Sequence, residues 1–409
     1  MKSVLQSIIP LLSVAWRRHG KVVRLLGVLV LAITAIGRTI YALPRLLHDI
    51  EPWSALDLKY RFTEVSEWFA GNPVYGVVDG AVYPPASHVI LWPFMGWLAL
   101  DGARVIWAIT TLGAAFLLAW MLYRHAGVPT LRDRLLLAGL ALGTYALQIC
   151  LFVGQMGMHV GAFAVGGAIL LIAWPVSWWR DLLAGSLLAC ALVKPTLSLP
   201  IIVAALIVTG RVRPVGMLIG AYGALTLVAG FFQPDNLFTL FRDWLEVAGW
   251  RVPIEDGVPN LHLLMLRLGV DEWMTPASMV LLAFVGAWMW RYRAADPWLL
   301  LGIAGLVARF WAHSTLYDDA LLLLPALALF RMSFLAEGAR HVAAGWFFTA
   351  AWIAILTPTW AYYGMGATVL TLLHVSQAAL WLAVLTFLAW VATDRRTTMD
   401  MHSRTQVET

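Results

Sequence analysis

Residues 103–134 read ARVIWAITTLGAAFLLAWMLYRHAGVPTLRDR, and this stretch decides the fold class. Its first part, 103–124, is apolar almost throughout. At about 1.5 Å per residue, a helix of this length spans the roughly 30 Å of hydrocarbon in a bilayer. The loop that follows carries Arg132 and Arg134, and short basic loops lie on the cytoplasmic side of a membrane. The stretch therefore predicts a transmembrane helix that ends at the cytoplasm.

The composition of the whole chain extends this pattern. Of the 409 residues, 61% are hydrophobic and 12% are charged, and the mean hydropathy is +0.78. Soluble domains carry about 25% charged residues, so this chain has too little polar surface to cover soluble domains. Twenty-two Trp and 17 Phe exclude a disordered chain, and two Cys exclude a disulfide framework. We expect an all-α polytopic integral membrane protein with no nucleic-acid partner.

Apolar runs of helical length recur along the chain. The clear runs are 24–43, 103–124, 135–153, 160–178, 274–291, 342–361 and 366–391. Shorter or proline-interrupted runs are 182–194, 196–210, 214–232, 297–312 and 317–332. We therefore predict about 12 transmembrane helices in a single domain, residues 1–409.

The orientation depends on residues 84–100, which three prolines interrupt. If this run crossed the bilayer, the basic loop after residue 124 would lie outside, against the positive-inside rule. If it only dips into the outer leaflet, every later basic loop lies inside. These loops carry Arg180, Arg211, Arg213, Arg291, Arg293, Arg331, Arg340, Arg395, Arg396 and Arg404. We expect a dipping segment and both termini in the cytoplasm.

The terminal segments follow from this topology. Residues 1–23 form a cytoplasmic or interfacial segment, within which the short apolar run 4–16 is expected on the inner membrane surface. Residues 393–409 form a cytoplasmic tail.

Polar residues gather on the outer side, in two long loops at 44–102 and 233–273. The first loop contains an apolar stripe at near-helical spacing, which predicts a short amphipathic juxtamembrane helix. The stripe consists of Leu58, Phe62, Val65 and Phe69.

Asp57 opens this helix at the level of the lipid headgroups. One interpretation is structural: Asp57 caps the helix and pairs with Arg61 at i+4. The other is catalytic, because a partly buried carboxylate at this boundary suits a general base. The spacing leaves both open.

Further polar groups lie at the outer ends of the spans. They are Tyr83 before two prolines, His88, Gln155 and His159 in a glycine-containing turn, Lys194 before Pro195, Arg309, His313, and Asp318 beside Asp319. Several of them have an ordinary structural interpretation: a snorkelling lysine, packed histidines (His262 among them), or carboxylates at a solvated helix start. Together they could bind a phosphate and activate a hydroxyl. No phosphate loop, dinucleotide fingerprint or zinc motif accompanies them, so a donor carried by lipid is expected.

The order of these residues resembles the polytopic C-type glycosyltransferases. The shared features are Asp57, the amphipathic helix, Gly71-Asn72-Pro73-x-Tyr75 and Tyr83-Pro84-Pro85. Gly154-Gln155, Lys194-Pro195 and the turn with His313 and Tyr317-Asp318 are similar to glycosyltransferase family 87. That family contains polyprenyl-phosphate-mannose-dependent mannosyltransferases of glycolipid biosynthesis. The basic Lys59 and Arg61 depart from the expected pattern and leave the acceptor open.

The resemblance implies an inverting transfer of a sugar, mannose, at the periplasmic face of a bacterial inner (cell) membrane. Asp57 would be the general base, and Lys194, Arg309 and His313 would hold the donor phosphate. Gln155, His159, Tyr83, His88 and Asp318 would be further substrate contacts. The partners would be a polyprenyl-phosphate sugar and a lipid or glycolipid acceptor, with no cofactor and no required metal.

Two other functions remain as alternatives. A transporter or a lipid or polyprenol flippase fits twelve spans with both ends inside. It should carry ionisable residues near the midplane, whereas in this chain only Arg38 and His374 lie well within the predicted spans. A non-catalytic assembly subunit would leave the polar first loop unexplained.

Overall fold

The structure, a computed structural model, describes residues 2–250, 259–335, 338–357 and 366–394. Within these ranges every regular element is a helix. Residues 395–409 of the expected cytoplasmic tail, with Arg395, Arg396 and Arg404, lie outside the described residues. So do 251–258 of the second outer loop and 358–361 of the predicted run 342–361.

The helices that form the first half of the chain are α1 Lys2–Leu47, α2 Leu56–Phe69, α3 Pro85–Met95, α4 Leu100–Arg124, α5 Leu131–Gly143, α6 Tyr145–Val153, α7 Gly157–Ile172, α8 Trp178–Ala191 and α9 Pro195–Thr209. Those of the second half are α10 Val212–Gly230, α11 Leu237–Trp250, α12 Leu261–Arg267, α13 Met274–Arg291, α14 Pro297–Phe310, α15 Leu323–Leu335, α16 Gly338–Ile355 and α17 Ala367–Thr393. Two 3₁₀ helices, Asp271–Trp273 and Leu316–Leu322, precede α13 and α15.

In the described ranges, each of the twelve predicted apolar runs overlaps a helix, but the helices differ in length. Among the described residues, six segments are long and apolar enough to cross a membrane: Leu25–Leu47, Leu100–Arg124, Leu131–Val153, Val212–Gly230, Asp271–Arg291 and Thr368–Thr393. Three further apolar helices, α7, α9 and α14, have 14 to 16 residues. The protein is therefore a polytopic helical membrane protein, and a total of twelve crossings stays a prediction.

The first helix differs from the expectation. Helix α1 has 46 residues and is about 69 Å long, more than twice the hydrocarbon thickness. Residues 4–16 belong to this uninterrupted helix, and their position on the inner membrane surface stays a prediction.

The segment 84–100 contains only the 11-residue helix α3. At 1.5 Å per residue this helix is about 16 Å long, roughly half of the hydrocarbon thickness. Pro85 occupies its first turn, where the missing N–H costs nothing. Its buried residues include Ser87, His88 and Leu91. This length agrees with a segment that enters the membrane and does not cross.

The loops that the sequence assigns to the cytoplasm meet in space. Arg331, at the end of α15, donates to the carbonyl of His125 in the loop after α4, at 2.9 Å. Arg211, before α10, forms a 2.7 Å ion pair with Asp181 in the first turn of α8. These contacts join the loop after α4 to the end of α15, and the start of α8 to the start of α10, which agrees with the predicted topology.

Candidate functional site

Helix α2 begins with a strained residue. Ala55, which precedes the helix, has φ 52° and ψ 27°, a left-handed conformation that is costly for a residue with a Cβ. The Ala55 N–H donates to the carbonyl of Phe152, at the end of α6, at 3.0 Å. A tertiary hydrogen bond therefore stabilises the turn that presents Asp57 in the first turn of α2. Such strain is concentrated at functional sites.

Asp57 is neither a helix cap nor an ion-pair partner of Arg61. No side chain caps α2, whose N-cap position is Ala55. Arg61 instead pairs with the buried Glu64 at 2.8 Å and donates to the carbonyl of Gly80 at 2.6 Å. The structural interpretation of Asp57 is thus wrong in both of its parts, and the carboxylate keeps its capacity to accept a proton.

The surroundings of Asp57 combine burial with positive charge. Burial raises the pKa of the Asp57 carboxyl, and the neighbouring Asp318 charge acts in the same direction. Arg61, Lys194 and a hydrogen bond from the Gln155 side chain oppose the rise in this pKa. The result is a carboxyl whose pKa lies above its usual value, as suits a general base that works near neutral pH.

The turn between α6 and α7 joins two parts of the site. A Cβ on Gly154, which has φ 77°, would lie 2.4 Å from the Cβ of Leu58 in α2. A Cβ on Gly157 would lie 2.4 Å from the carbonyl oxygen of Tyr317. Only glycine at these positions lets the turn contact both segments. Gln155 lies between the two glycines in sequence, so these contacts bring Asp57 and Asp318 towards it.

Lys194 and Asp318 form a buried ion pair. The Lys194 Nζ lies 2.5 Å from Asp318 Oδ1 and 4.7 Å from the centre of the Tyr317 ring. The other oxygen of Asp318 accepts from the Thr315 N–H at 3.0 Å, within a capping box. Lys194 is therefore not a snorkelling lysine, and Asp318 begins a helix that is buried rather than solvated.

His313 belongs to the same group of residues. It is half-buried, and in the described part of the protein its Nδ1 atom is buried without a hydrogen-bond partner. Burial and the nearby Lys194 charge lower the pKa of His313 to about 4. His313 is consequently neutral at pH 7, and it offers hydrogen bonding rather than positive charge.

Arg309 has a structural partner. Its guanidinium forms a buried ion pair with Asp319 and donates to the Ser314 hydroxyl at 3.1 Å. The Tyr145 hydroxyl donates to the same Asp319 carboxylate. The expected role of Arg309 as a free positive charge for a phosphate does not agree with this geometry, since Asp319 neutralises it.

Two predicted histidine contacts lie among aromatic side chains. His159 is 3.0 Å from the Thr110 hydroxyl, and its ring packs 4.6 Å from that of Trp107. His88 stacks on Trp68 with ring centres 4.0 Å apart. The structure therefore does not bring these two residues into direct contact with Asp57 or Lys194, and the packed interpretation of each applies.

The remaining substrate candidates converge. Tyr83 is buried, its hydroxyl donates to Gln155 Oε1 at 3.2 Å, and the Arg61 guanidinium lies 4.4 Å from its ring centre. These residues form the outer cluster, which consists of Asp57, Arg61, Tyr83, Gln155, Lys194, His313, Tyr317 and Asp318.

The buried Glu64 was not predicted from the sequence, although its i+3 spacing from Arg61 is a recognisable ion-pair signal. In the described ranges, no three His, Cys, Asp or Glu residues group closely enough to hold a metal.

These features define a polytopic helical membrane protein with a charged, partly buried site at one end of its bundle. The model of glycosyltransferase family 87 matches residues 81–317, more than half of the chain, and the chain belongs to that family. The protein is therefore a membrane glycosyltransferase, and the resemblance seen in the sequence is confirmed at family level. The match includes Tyr83, Gln155, Lys194 and His313, whereas Asp57 and Asp318 lie outside it. No curated protein and no solved structure matches this chain.

Proposed function

We propose that the protein transfers a sugar, mannose, from a polyprenyl phosphate to a hydroxyl of a lipid or glycolipid acceptor. The proposed site is the outer cluster, on the periplasmic face of a bacterial inner membrane, with twelve spans and both termini in the cytoplasm. One observation carries this proposal: in the described structure Asp57 neither caps its helix nor forms an ion pair, yet the charge of the buried Lys194 acts on its pKa.

The residues fit a single displacement. The acceptor oxygen attacks the anomeric carbon, its proton passes to Asp57, and the bond to the phosphate oxygen breaks with inversion. The phosphate leaves as an anion, so no second carboxylic acid is needed to protonate it, in contrast to glycoside hydrolysis. The charge that grows on the phosphate requires a cation or hydrogen-bond donors.

Lys194 is the residue that best supplies this charge. Its ammonium is buried and has three donors, of which Asp318 takes one at 2.5 Å. A donor phosphate can be bound by the remaining N–H groups, with the neutral His313 as an additional hydrogen-bonding group. Arg61 pairs with Glu64 and lies over the Tyr83 ring, and we assign it no contact with the phosphate.

A transporter is less well supported. Arg38 donates to the carbonyls of Leu356 and Thr357 at 2.8 and 2.9 Å, and also to that of Gly143. Gly143 ends α5, where the third span breaks, and Leu356 and Thr357 follow α16. The guanidinium thus satisfies carbonyls that the helix ends leave free, which is a structural role.

The activity is tested with purified protein, a panel of synthetic polyprenyl-phosphate sugars and a membrane lipid extract, with mass spectrometry of the products. We expect a hexose added to lipid from polyprenyl-phosphate mannose and none from a nucleotide sugar. Transfer from a nucleotide sugar alone, or transport without any new glycolipid, would contradict the proposal.

A further inference from the structure

Two hydrogen bonds fix the side-chain amide of Gln155 within the outer cluster. The Tyr83 hydroxyl donates to Gln155 Oε1 at 3.2 Å, and the N–H of Met156 donates to the same oxygen at 2.9 Å. A carbonyl oxygen has two lone pairs, so both are occupied. Rotation of the amide by 180° would place an N–H₂ group against two donors. The orientation of Gln155 is thereby fixed, and its N–H₂ group is left for another acceptor.

The carboxylate of Asp57 is the acceptor that this amide faces, because interaction with the Gln155 side chain lowers the pKa of Asp57. The backbone keeps the two residues together. Gly154 contacts Leu58, the neighbour of Asp57, and the Ala55 N–H bonds to the carbonyl of Phe152. Gln155 itself is only 4% exposed, so its amide is not a surface group with many alternative partners.

Charged and titratable groups face Asp57 from several elements. They are Arg61 on α2 itself, Tyr83 before α3, Lys194 before α9, and Tyr317 and Asp318 on the 3₁₀ helix 316–322. The charged residues among them act on Asp57 without an ion pair to it in the described part of the chain. Gln155 is different because its amide is uncharged and is itself held by Tyr83.

We propose that Gln155 and Tyr83 are positioning residues that orient the Asp57 carboxylate and stabilise its deprotonated form, rather than contacts for the donor phosphate. This inference rests on the proposed function of Asp57 as the general base. A donor amide with a fixed orientation holds one carboxylate oxygen, which leaves the other oxygen for the acceptor hydroxyl. Removing the amide should disturb proton transfer and leave donor binding intact.

The test compares Gln155→Leu with a matched control, Gln148→Leu, which removes a buried amide from α6, just before the same turn. Single-turnover rates are measured against pH with synthetic polyprenyl-phosphate mannose and a lipid extract as acceptor. Loss of a hydrogen bond to the charged form disfavours that form, so the acidic limb should move up by about one pH unit. Donor affinity should be unchanged, and Gln148→Leu should keep the wild-type profile.

A second variant covers the case in which Gln155→Leu does not fold. Tyr83→Phe removes only the hydroxyl that fixes the amide, and it should move the acidic limb in the same direction by a smaller amount. Weaker donor binding with an unmoved profile would overturn the inference and return Gln155 to a donor contact. If Asp57→Asn kept full turnover, the general base itself would be misassigned, and that result is distinguishable because it does not involve Gln155.

Discussion

At the scale of single residues, the site is defined by which charges are neutralised and which remain available. Arg61 belongs to Glu64, and Arg309 belongs to Asp319. Asp57 has no comparable partner in the described ranges. Lys194 pairs with Asp318, and its ammonium also lies 4.7 Å from the centre of the Tyr317 ring. The chemistry we propose therefore depends on two residues, one that accepts a proton and one that stabilises a leaving phosphate.

Two substitutions that break the same ion pair separate the contribution of Lys194 to turnover from the contribution of the pair to stability. Lys194→Gln should slow turnover by about 10²- to 10³-fold, since the leaving phosphate loses a buried donor. Asp318→Asn should cost much less activity, because Lys194 stays in place and Asn can still accept from Thr315. Steady-state kinetics and thermal stability of both variants provide the measurement. Equal losses of activity would make the pair purely structural.

The pH dependence of turnover follows from Asp57. Burial raises the pKa of this carboxyl above the usual 3.8, so the base is protonated, and inactive, at pH values where an exposed aspartate is still ionised. Turnover should fall as the pH decreases through this raised pKa. A pH profile of the single-turnover rate measures it, and an acidic limb at the ordinary aspartate value would contradict the burial of Asp57.

At the scale of elements, the turn between α6 and α7 positions the site. Gly154→Ala adds a Cβ at φ 77°, where it would lie 2.4 Å from the Cβ of Leu58, so α2 must move away. We expect a loss of stability of about 2 to 4 kcal/mol and a large loss of activity. Gly76→Ala is the matched control: it has φ 75° and open space around the new Cβ, so only the backbone strain of about 1 kcal/mol remains. Thermal unfolding and turnover are measured for both, and equal effects would exclude the steric explanation.

The sequence predicts some of these elements better than others. The amphipathic helix α2 and the short α3 follow from the spacing of Leu58, Phe62 and Val65 and from the prolines around residue 85. The left-handed Ala55 carries no sequence signal, since its strain is balanced by a hydrogen bond to Phe152, almost 100 residues away. For the same reason Arg309 could not be separated from Lys194: only tertiary packing shows that Arg309 is bound to both Asp319 and Ser314, whereas Asp318 takes one of the three donors of Lys194.

At the scale of the whole molecule, the topology depends on α3 not crossing the bilayer. Pro129→Cys lies in the exposed part of the loop after α4, and Val77→Cys is 70% exposed in the first outer loop. With Cys150 and Cys190 replaced, only Val77→Cys should react with a membrane-impermeant thiol reagent in intact cells. Permeabilised cells provide the control for Pro129→Cys. Labelling of Pro129→Cys in intact cells would overturn the orientation and the number of spans together.

The central claim is that Asp57 accepts the proton of the acceptor hydroxyl, and Asp57→Asn tests it most directly. Asparagine keeps the size of the side chain but cannot serve as the base, so turnover with polyprenyl-phosphate mannose should fall by about 10²- to 10⁴-fold. Thermal stability and donor affinity should stay close to those of the wild type, because Asp57 neither caps α2 nor pairs with Arg61. Asp101→Asn, the same change at an exposed aspartate of the same outer loop, is the control and should leave turnover unchanged. Wild-type turnover in Asp57→Asn would contradict the account.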